Sequence, residues 1–291
     1  MRKWNTDWGL QGRMLFTMFL LAAVYLFFLA FLSYQGAGMN VMIIFIGGFM
    51  FIQYFLSDKL VLMSMGAKVV SESEEPQLHE MISRLCAMAD IHKPRVAVVN
   101  SSVPNAFATG RSPKNAVVAV TTGIMKTLTS SELEAVIAHE LSHIKNRDVM
   151  VMTIASFLST VAFFLVRYLL FFGGGRDRQS GGIMGVWLVS ILVWVISLLL
   201  IRTLSRYREF SADRGSALIT GAPSHLASAL MKISGIMPRI PTDDLRKVEG
   251  MNAFFIIPAL SGSSIMHLFS THPSVEKRIA ALEKLETELE M

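Results

Sequence analysis

Cysteine is nearly missing from this chain. Cys86 stands alone among 291 residues, which excludes an intrachain disulfide and any zinc site built from several thiolates. Its place in an apolar helical pattern reads as a small buried side chain. Charge is scarce as well: Asp, Glu, Lys and Arg make up 17% of the sequence against 52% hydrophobic residues, and a mean hydropathy of +0.48 is too high for an ordinary soluble domain. Internal repeats and a low-complexity tail are also lacking. The formal charge of +5 comes from basic residues that flank apolar runs. That placement reads as membrane topology and points away from nucleic acid as a partner.

What is abundant is hydrocarbon, in four runs at 14–34, 39–56, 149–172 and 183–201. The first is long enough to span a bilayer. Arg2, Lys3 and Arg13 precede it as in a signal peptide, yet the run is too long, no A-x-A cleavage site follows and a second apolar segment comes at once, so it reads as a retained anchor. The second, shorter run has Asn40 and Gln53 near its ends and closes a helical hairpin. The third carries Arg167, a position from which a guanidinium snorkels to the interface or lines a cavity. A polar, glycine-rich loop at 173–182 leads into the fourth. With four spans, eleven Lys and Arg residues from Arg2 to Arg214 flank one side against Arg176 and Arg178 on the other. The positive-inside rule then puts both termini and the polar segments in the cytoplasm.

Between the hairpins the chain changes character. Glu74-Glu75-Pro76 opens a helix whose Leu78, Met81, Ile82, Leu85 and Met88 form an inward stripe. Short strands are expected at 95–99, 105–109 and 116–121, separated by Ser-, Pro- and Gly-containing turns. Further helices follow at about 223–234 and after Thr271-His272-Pro273-Ser274. The last has Val275, Ile279, Leu282, Leu285 and Leu289 as its buried stripe.

Directly after the strands comes His139-Glu140-Leu141-Ser142-His143, an H-E-x-x-H. Thr129 and Glu132 read as a capping box for the helix that carries it, and Leu133, Val136, Ile137, Leu141 and Ile144 recur at helical spacing. Two histidines four apart project from one helical face and share a metal, with Glu140 placed to act on a water at the ion. This is the kit of a zinc protease, although the pattern alone also admits a chance match. Zinc suits it because borderline-soft Zn²⁺ takes neutral imidazole and a catalytic site needs three protein ligands.

Geometry selects Glu209 as the third ligand. The third run begins six residues after His143 and the fourth ends eight residues before Glu209. At about 1.5 Å per helical residue both stand roughly 10 Å above one membrane face. Asp213, four residues on, lies on the same helical face and is placed to hold an imidazole N–H. The alternative for both carboxylates is solvated pairing with Arg206, Arg208 or Arg214. A strand at Asn105, Ala106, Phe107 and Ala108 beside such a helix accepts a substrate as an added strand, or serves as a plain structural edge.

These motifs together, in order, resemble the HtpX-type membrane zinc metalloproteases, relatives of the CAAX prenyl proteases in the gluzincin group. The resemblance covers essentially the whole chain. It implies one Zn²⁺ on His139, His143 and Glu209, Glu140 as general base and then proton donor, and Asp213 orienting a histidine. It also implies that Asn105–Ala108 lines the substrate groove and that His272 lies near the site; His272 is a candidate oxyanion donor, with a surface or capping role as the alternative.

The fold expected is mainly α with a small β-sheet. It is that of a multi-span membrane protein with about four transmembrane helices and a cytoplasmic zincin-like metalloprotease domain, divided as 1–57, 58–148, 149–201 and 202–291. The function expected is an endopeptidase of the bacterial cytoplasmic (inner) membrane that cuts cytoplasmic parts of misfolded membrane proteins. Its partners are then polypeptide substrates, the lipid bilayer and, by resemblance, other membrane quality-control proteases; oligomeric state has no signal in the sequence. Other readings are an intramembrane protease, a CAAX-type processing enzyme, and a zinc-binding or transport protein without hydrolysis. Polar residues surround the motif, which argues against the first, and the spans are nearly free of ionisable ligands, which argues against the last.

Overall fold

The structure is a computed structural model that describes residues 7–34, 59–172, 181–239 and 272–290, with isolated positions between 40 and 55. Most of the second apolar run, the side chain of Arg167, residues 173–180, Thr271 and the prolines at 241 and 258 lie outside the described residues. In chain order the elements are α1 (Trp8–Tyr34), β1 (Ala67–Val69), α2 (Pro76–Ala89), β2 (Arg95–Val99), β3 (Ala106–Thr109) and β4 (Val117–Thr121). Then come α3 (Thr122–Thr127), α4 (Ser130–Lys145), α5 (Asp148–Phe172), α6 (Gly181–Thr220), α7 (Pro223–Ile236) and α8 (Val275–Glu290). The chain divides into two compact units, one of Met1–Thr6, Leu56–Val149 and Arg206–Met291, the other of Asp7–Phe55 and Met150–Ser205.

The second of these units is built from apolar helices. Leu21, Tyr25, Ala155 and Leu204 pack in one cluster, and Phe28, Ala162 and Val193 in another. The Tyr25 hydroxyl donates to the Ala155 carbonyl, which keeps this polar group satisfied where water is scarce. Leu15, Phe16, Phe19, Leu26 and Phe27 of α1 and Leu188, Leu192 and Leu199 of α6 face outward, the surface of a body that meets lipid. Among the described residues two helices are long and apolar enough to cross a membrane, Trp8–Tyr34 and Met184–Thr220, and Asp148–Phe163 is a shorter apolar helix. Most of the second apolar run lies outside the described residues, so these helices do not test the expected count of four.

The other unit holds a four-stranded sheet of order β1-β2-β4-β3. β2 and β4 run parallel, and β1 and β3 are antiparallel edges. β4 is buried along its length by alternation-free Val117-Val118-Ala119-Val120, as a central strand covered on both faces requires. Its end passes straight into α3 at Gly123, whose amide donates to the Ser101 carbonyl at 2.8 Å. Neither β1 nor α3 is anticipated by the sequence reading, since both are shorter than a period can reveal. α2 buries Leu78, His79, Ile82, Leu85, Cys86 and Ala89, while Met88 is exposed. The inward stripe is thus centred on Ile82 and Ala89, and Met88 falls about 100° round from Ala89.

α4 lies in the middle of this unit and is buried nearly all round. Its start is fixed by the capping box: the Thr129 side chain accepts from the Glu132 amide, and the Thr129 amide donates to Glu132 Oε2 at 2.8 Å. Glu132 also accepts from Ser228 at 2.6 Å and from Lys232 at 2.7 Å, both on α7. One side chain therefore caps the start of a helix and fastens it to its neighbour.

Candidate metal centre

Small residues let α6 approach α4. Ala212, Ser216 and Ala217 are fully buried, and the Ser216 hydroxyl donates to the Ala135 carbonyl at 2.7 Å. Ser216 lies seven residues beyond Glu209 and three beyond Asp213, so all three share the face that α6 turns to α4. On α4 the corresponding row is Ala135, His139 and His143.

The result is convergence. His139 Nε2 and His143 Nε2 stand 3.1 Å apart. Glu209 closes the triangle, with Oε2 at 3.6 Å from His139 Nε2 and Oε1 at 3.6 Å from His143 Nε2. Asp213 Oδ1 lies 3.0 Å from His139 Nδ1. Pairing of the two carboxylates with Arg208 or Arg214 in solvent is not what is found. Arg208 ion-pairs with Asp148, and Arg214 lies 3.8 Å from Glu288.

The remaining expected residues gather at the same place. Glu140 is buried, and the backbone of Ala108 hydrogen-bonds its carboxylate. Burial pushes that carboxyl above its ordinary range, against the pull of His139 and His143. Ala106 and Phe107 are buried in β3, which is an edge strand packed on α4. Asn105 is buried just before it, its amide donating to Thr121 Oγ1 at 2.9 Å. His272 Nδ1 sits 3.1 Å from Glu209 Oε2. His79 of α2 has a ring nitrogen 3.1 Å from the Val70 carbonyl.

Three residues at the site are missed by the sequence reading. Arg278 of α8 is 1% exposed and grips Asp213 through two hydrogen bonds of 2.9 and 2.6 Å, with Glu209 Oε2 at 3.4 Å. Burial alone would pull its guanidinium down, but Asp213 and Glu209 hold it above the ordinary value. Asp148 Oδ2 lies 2.6 Å from His143 Nδ1, and Arg208 pairs with that same aspartate. One signal was available: Arg278 falls three residues after Val275 and four before Leu282, on the apolar stripe of its own helix.

Residues 72–286 match the family model described as peptidase family M48. The chain belongs to peptidase family M48. Among M48 relatives it is 71% identical over 291 residues to protease HtpX homolog 2 of Methanosarcina acetivorans, covering 99% of each chain. It is 60% identical over 294 residues to a protease HtpX homolog of Moorella thermoacetica, covering 99% of this chain and 98% of that one. The fold is like that of S. mikatae Ste24p in its crystal structure, with a TM-score of 0.57 at 16% identity over 94% of this chain and 67% of the other. This M48 protein is thus a membrane metalloprotease of the HtpX type.

An M48 metalloprotease implies a metal, and His139, His143 and Glu209 offer ligand atoms all within 4.8 Å of one another. Around an ion held tetrahedrally at about 2.0–2.1 Å, ligand atoms stand about 3.3 Å apart. The Nε2–Nε2 separation of 3.1 Å is close to that spacing, and each oxygen of the Glu209 carboxylate stands 3.6 Å from one of the two rings. The chemistry fits too: two ring nitrogens and a carboxylate, with His139 and Glu209 buried and His143 partly exposed, are a donor set for a divalent cation.

Proposed function

We propose that this chain is a zinc-dependent endopeptidase of the cytoplasmic membrane that cleaves cytoplasmic segments of misfolded membrane proteins. The observation that carries the reading is the meeting of both Nε2 atoms and the Glu209 carboxylate at one place, with His139 and Glu209 buried and His143 partly open to solvent. In this reading His139, His143 and Glu209 hold Zn²⁺, and Asp213 fixes the His139 ring. The positive residues beside the apolar runs support a cytoplasmic site with both termini on that side, and the hydropathy pattern supports about four spans divided as 1–57, 58–148, 149–201 and 202–291. The quality-control role rests on resemblance to the HtpX type.

Zinc, when bound, supplies a Lewis acid that brings the pKa of water to about 7 and polarises a carbonyl. The chain's own residues do the rest. Glu140 accepts a proton from the attacking water and delivers it to the leaving amine; its raised carboxyl suits a group that must both take and return a proton. An extended substrate pairs with β3, an edge strand among the described residues, through its backbone, so Asn105–Ala108 select conformation more than side chains. His272 donates to the oxyanion of the tetrahedral species.

The test is purified protein, wild type against Glu140→Gln, assayed for bound zinc and for cleavage of an unfolded membrane-protein substrate. Stoichiometric zinc in both with cleavage only in the wild type is expected. Cleavage by the variant at the wild-type rate would remove Glu140 from the mechanism.

A further inference from the structure

We propose that Asp148, held by Arg208, is the positioning residue for His143: its carboxylate accepts a hydrogen bond from Nδ1–H, which leaves the Nε2 lone pair on the side of the ring that faces Glu209 and His139. The inference rests on the metal-site reading and adds to it the means by which the second imidazole is oriented. Asp213 supports one ring. Asp148 supports the other, from a different element.

Three observations carry it. The first is the contact itself, 2.6 Å between His143 Nδ1 and Asp148 Oδ2, in the range of a charge-assisted hydrogen bond. A ring nitrogen that donates to a carboxylate leaves its other nitrogen as the lone pair a cation needs, and His143 Nε2 is the atom that faces Glu209 Oε1 at 3.6 Å.

The second is the backbone that makes the contact possible. In a continuous helix residue 148 would lie about 140° round from residue 143. Instead α4 ends at its cap Asn146, and Arg147 takes φ 57°, a left-handed conformation that residues with side chains avoid. That turn brings Asp148 back beneath the imidazole. A strained non-glycine residue persists where its surroundings over-determine it.

The third is the arginine. Arg208 is 4% exposed, ion-pairs with Asp148 through Oδ1, and donates to the Asn146 carbonyl at 3.3 Å. It occupies the carboxylate oxygen that His143 does not use. It also precedes Glu209 directly on α6, so the third ligand and the support of the second arrive on adjacent residues. Asn146 Nδ2 to Ser211 Oγ, at 3.3 Å, ties the same turn to α6 again.

The experiment measures the zinc dissociation constant of the full chain in detergent by chelator competition, with kcat and KM at saturating zinc and the melting temperature of the zinc-free protein. Asp148→Ala is expected to weaken zinc about 10- to 100-fold and to lower kcat with KM unchanged. Asp148→Asn keeps the shape and an acceptor oxygen but not the charge. It is expected to weaken zinc about tenfold. Because it leaves the buried Arg208 without its charge partner it also lowers the zinc-free melting temperature, so affinity is compared at a temperature where both proteins are folded, and that comparison decides the matter if the alanine variant does not fold. Wild-type zinc affinity in Asp148→Asn overturns the proposal, as does a fall in melting temperature without a change in affinity. His143→Ala serves as the reference: if it too binds zinc like the wild type, the metal-site reading itself fails, whereas loss in His143→Ala alone refutes only the role of Asp148.

Discussion

Arg278→Met is the sharpest test of the buried charges around the site. The guanidinium is 1% exposed and is shared by Asp213 and Glu209, which are 2% and 5% exposed. Methionine fills part of the space but strands two carboxylates inside the protein. Removing one partner of a buried ion pair costs about 3–5 kcal/mol, a large share of the roughly 5–15 kcal/mol that holds a domain together. At about 2–4 °C per kcal/mol the zinc-free protein should melt about 6–20 °C lower. Zinc should shrink the loss, because a divalent ion compensates Glu209. Adding Asp213→Asn removes one stranded charge, so the double variant should be more stable than the sum of its parts by about 1 kcal/mol or more. Cys86 provides the assay. It is the single cysteine, it is 3% exposed in the core of the same unit, and burial pushes its thiol up to about 11, so thiol labelling against temperature reports the opening of that unit alone. A shift below about 2 °C, or strict additivity in the double variant, would refute the reasoning.

Glu132→Gln should cost about 0.5–1 kcal/mol at neutral pH, the range for a pair whose lysine is partly solvated. Burial raises the Glu132 carboxyl, but Lys232, Ser228 and Thr129 outweigh it and bring it down to about 2. Its contribution is therefore complete above its ordinary value of 4.5 and disappears as pH falls towards 2. The gap between wild type and variant in chemical denaturation should close over that window; a gap that widens on acidification would contradict the assignment. Gly123→Ala places a Cβ 2.4 Å from the Ser102 carbonyl oxygen and 2.7 Å from its carbon. Backbone cannot step aside cheaply, so the melting temperature should fall by the equivalent of about 1–3 kcal/mol, and an unchanged value would mean that the β4–α3 junction relaxes freely.

The site was legible in the sequence to the extent that its residues follow local rules. Thr129 and Glu132 announce the start of α4 by a side-chain chemistry that needs no tertiary context. His139 and His143 announce themselves by spacing. Glu209 and Asp213 were reached from the expectation that the apolar runs before and after the second hairpin end at one membrane face. Arg278, Asp148 and Arg208 could not be read in the same way, since a charged residue on a helix is by default turned to water and only the fold supplies a reason to bury it. Asp148 depended on a left-handed residue at Arg147, a position where sequence favours glycine or asparagine. The inward place of Met88 failed for a related reason: several apolar residues on α2 compete for one stripe, and the partner surface chooses among them. Sheet order β1-β2-β4-β3 lies beyond any local pattern, because it is decided by which edges remain free.

α6 runs unbroken from Gly181 to Thr220, so its apolar stretch and its two carboxylates belong to a single rod. Such a rod keeps angular phase: each residue inserted between Glu209 and Ser216, whose hydroxyl is anchored on the Ala135 carbonyl, would swing the carboxylate by about 100° and carry it about 1.5 Å along the axis. One added residue aims Glu209 away from the imidazoles, and an insertion of about seven restores its bearing while displacing it by two turns. Length in this segment is therefore quantised, and the chain can vary which small residues it places there more freely than how many.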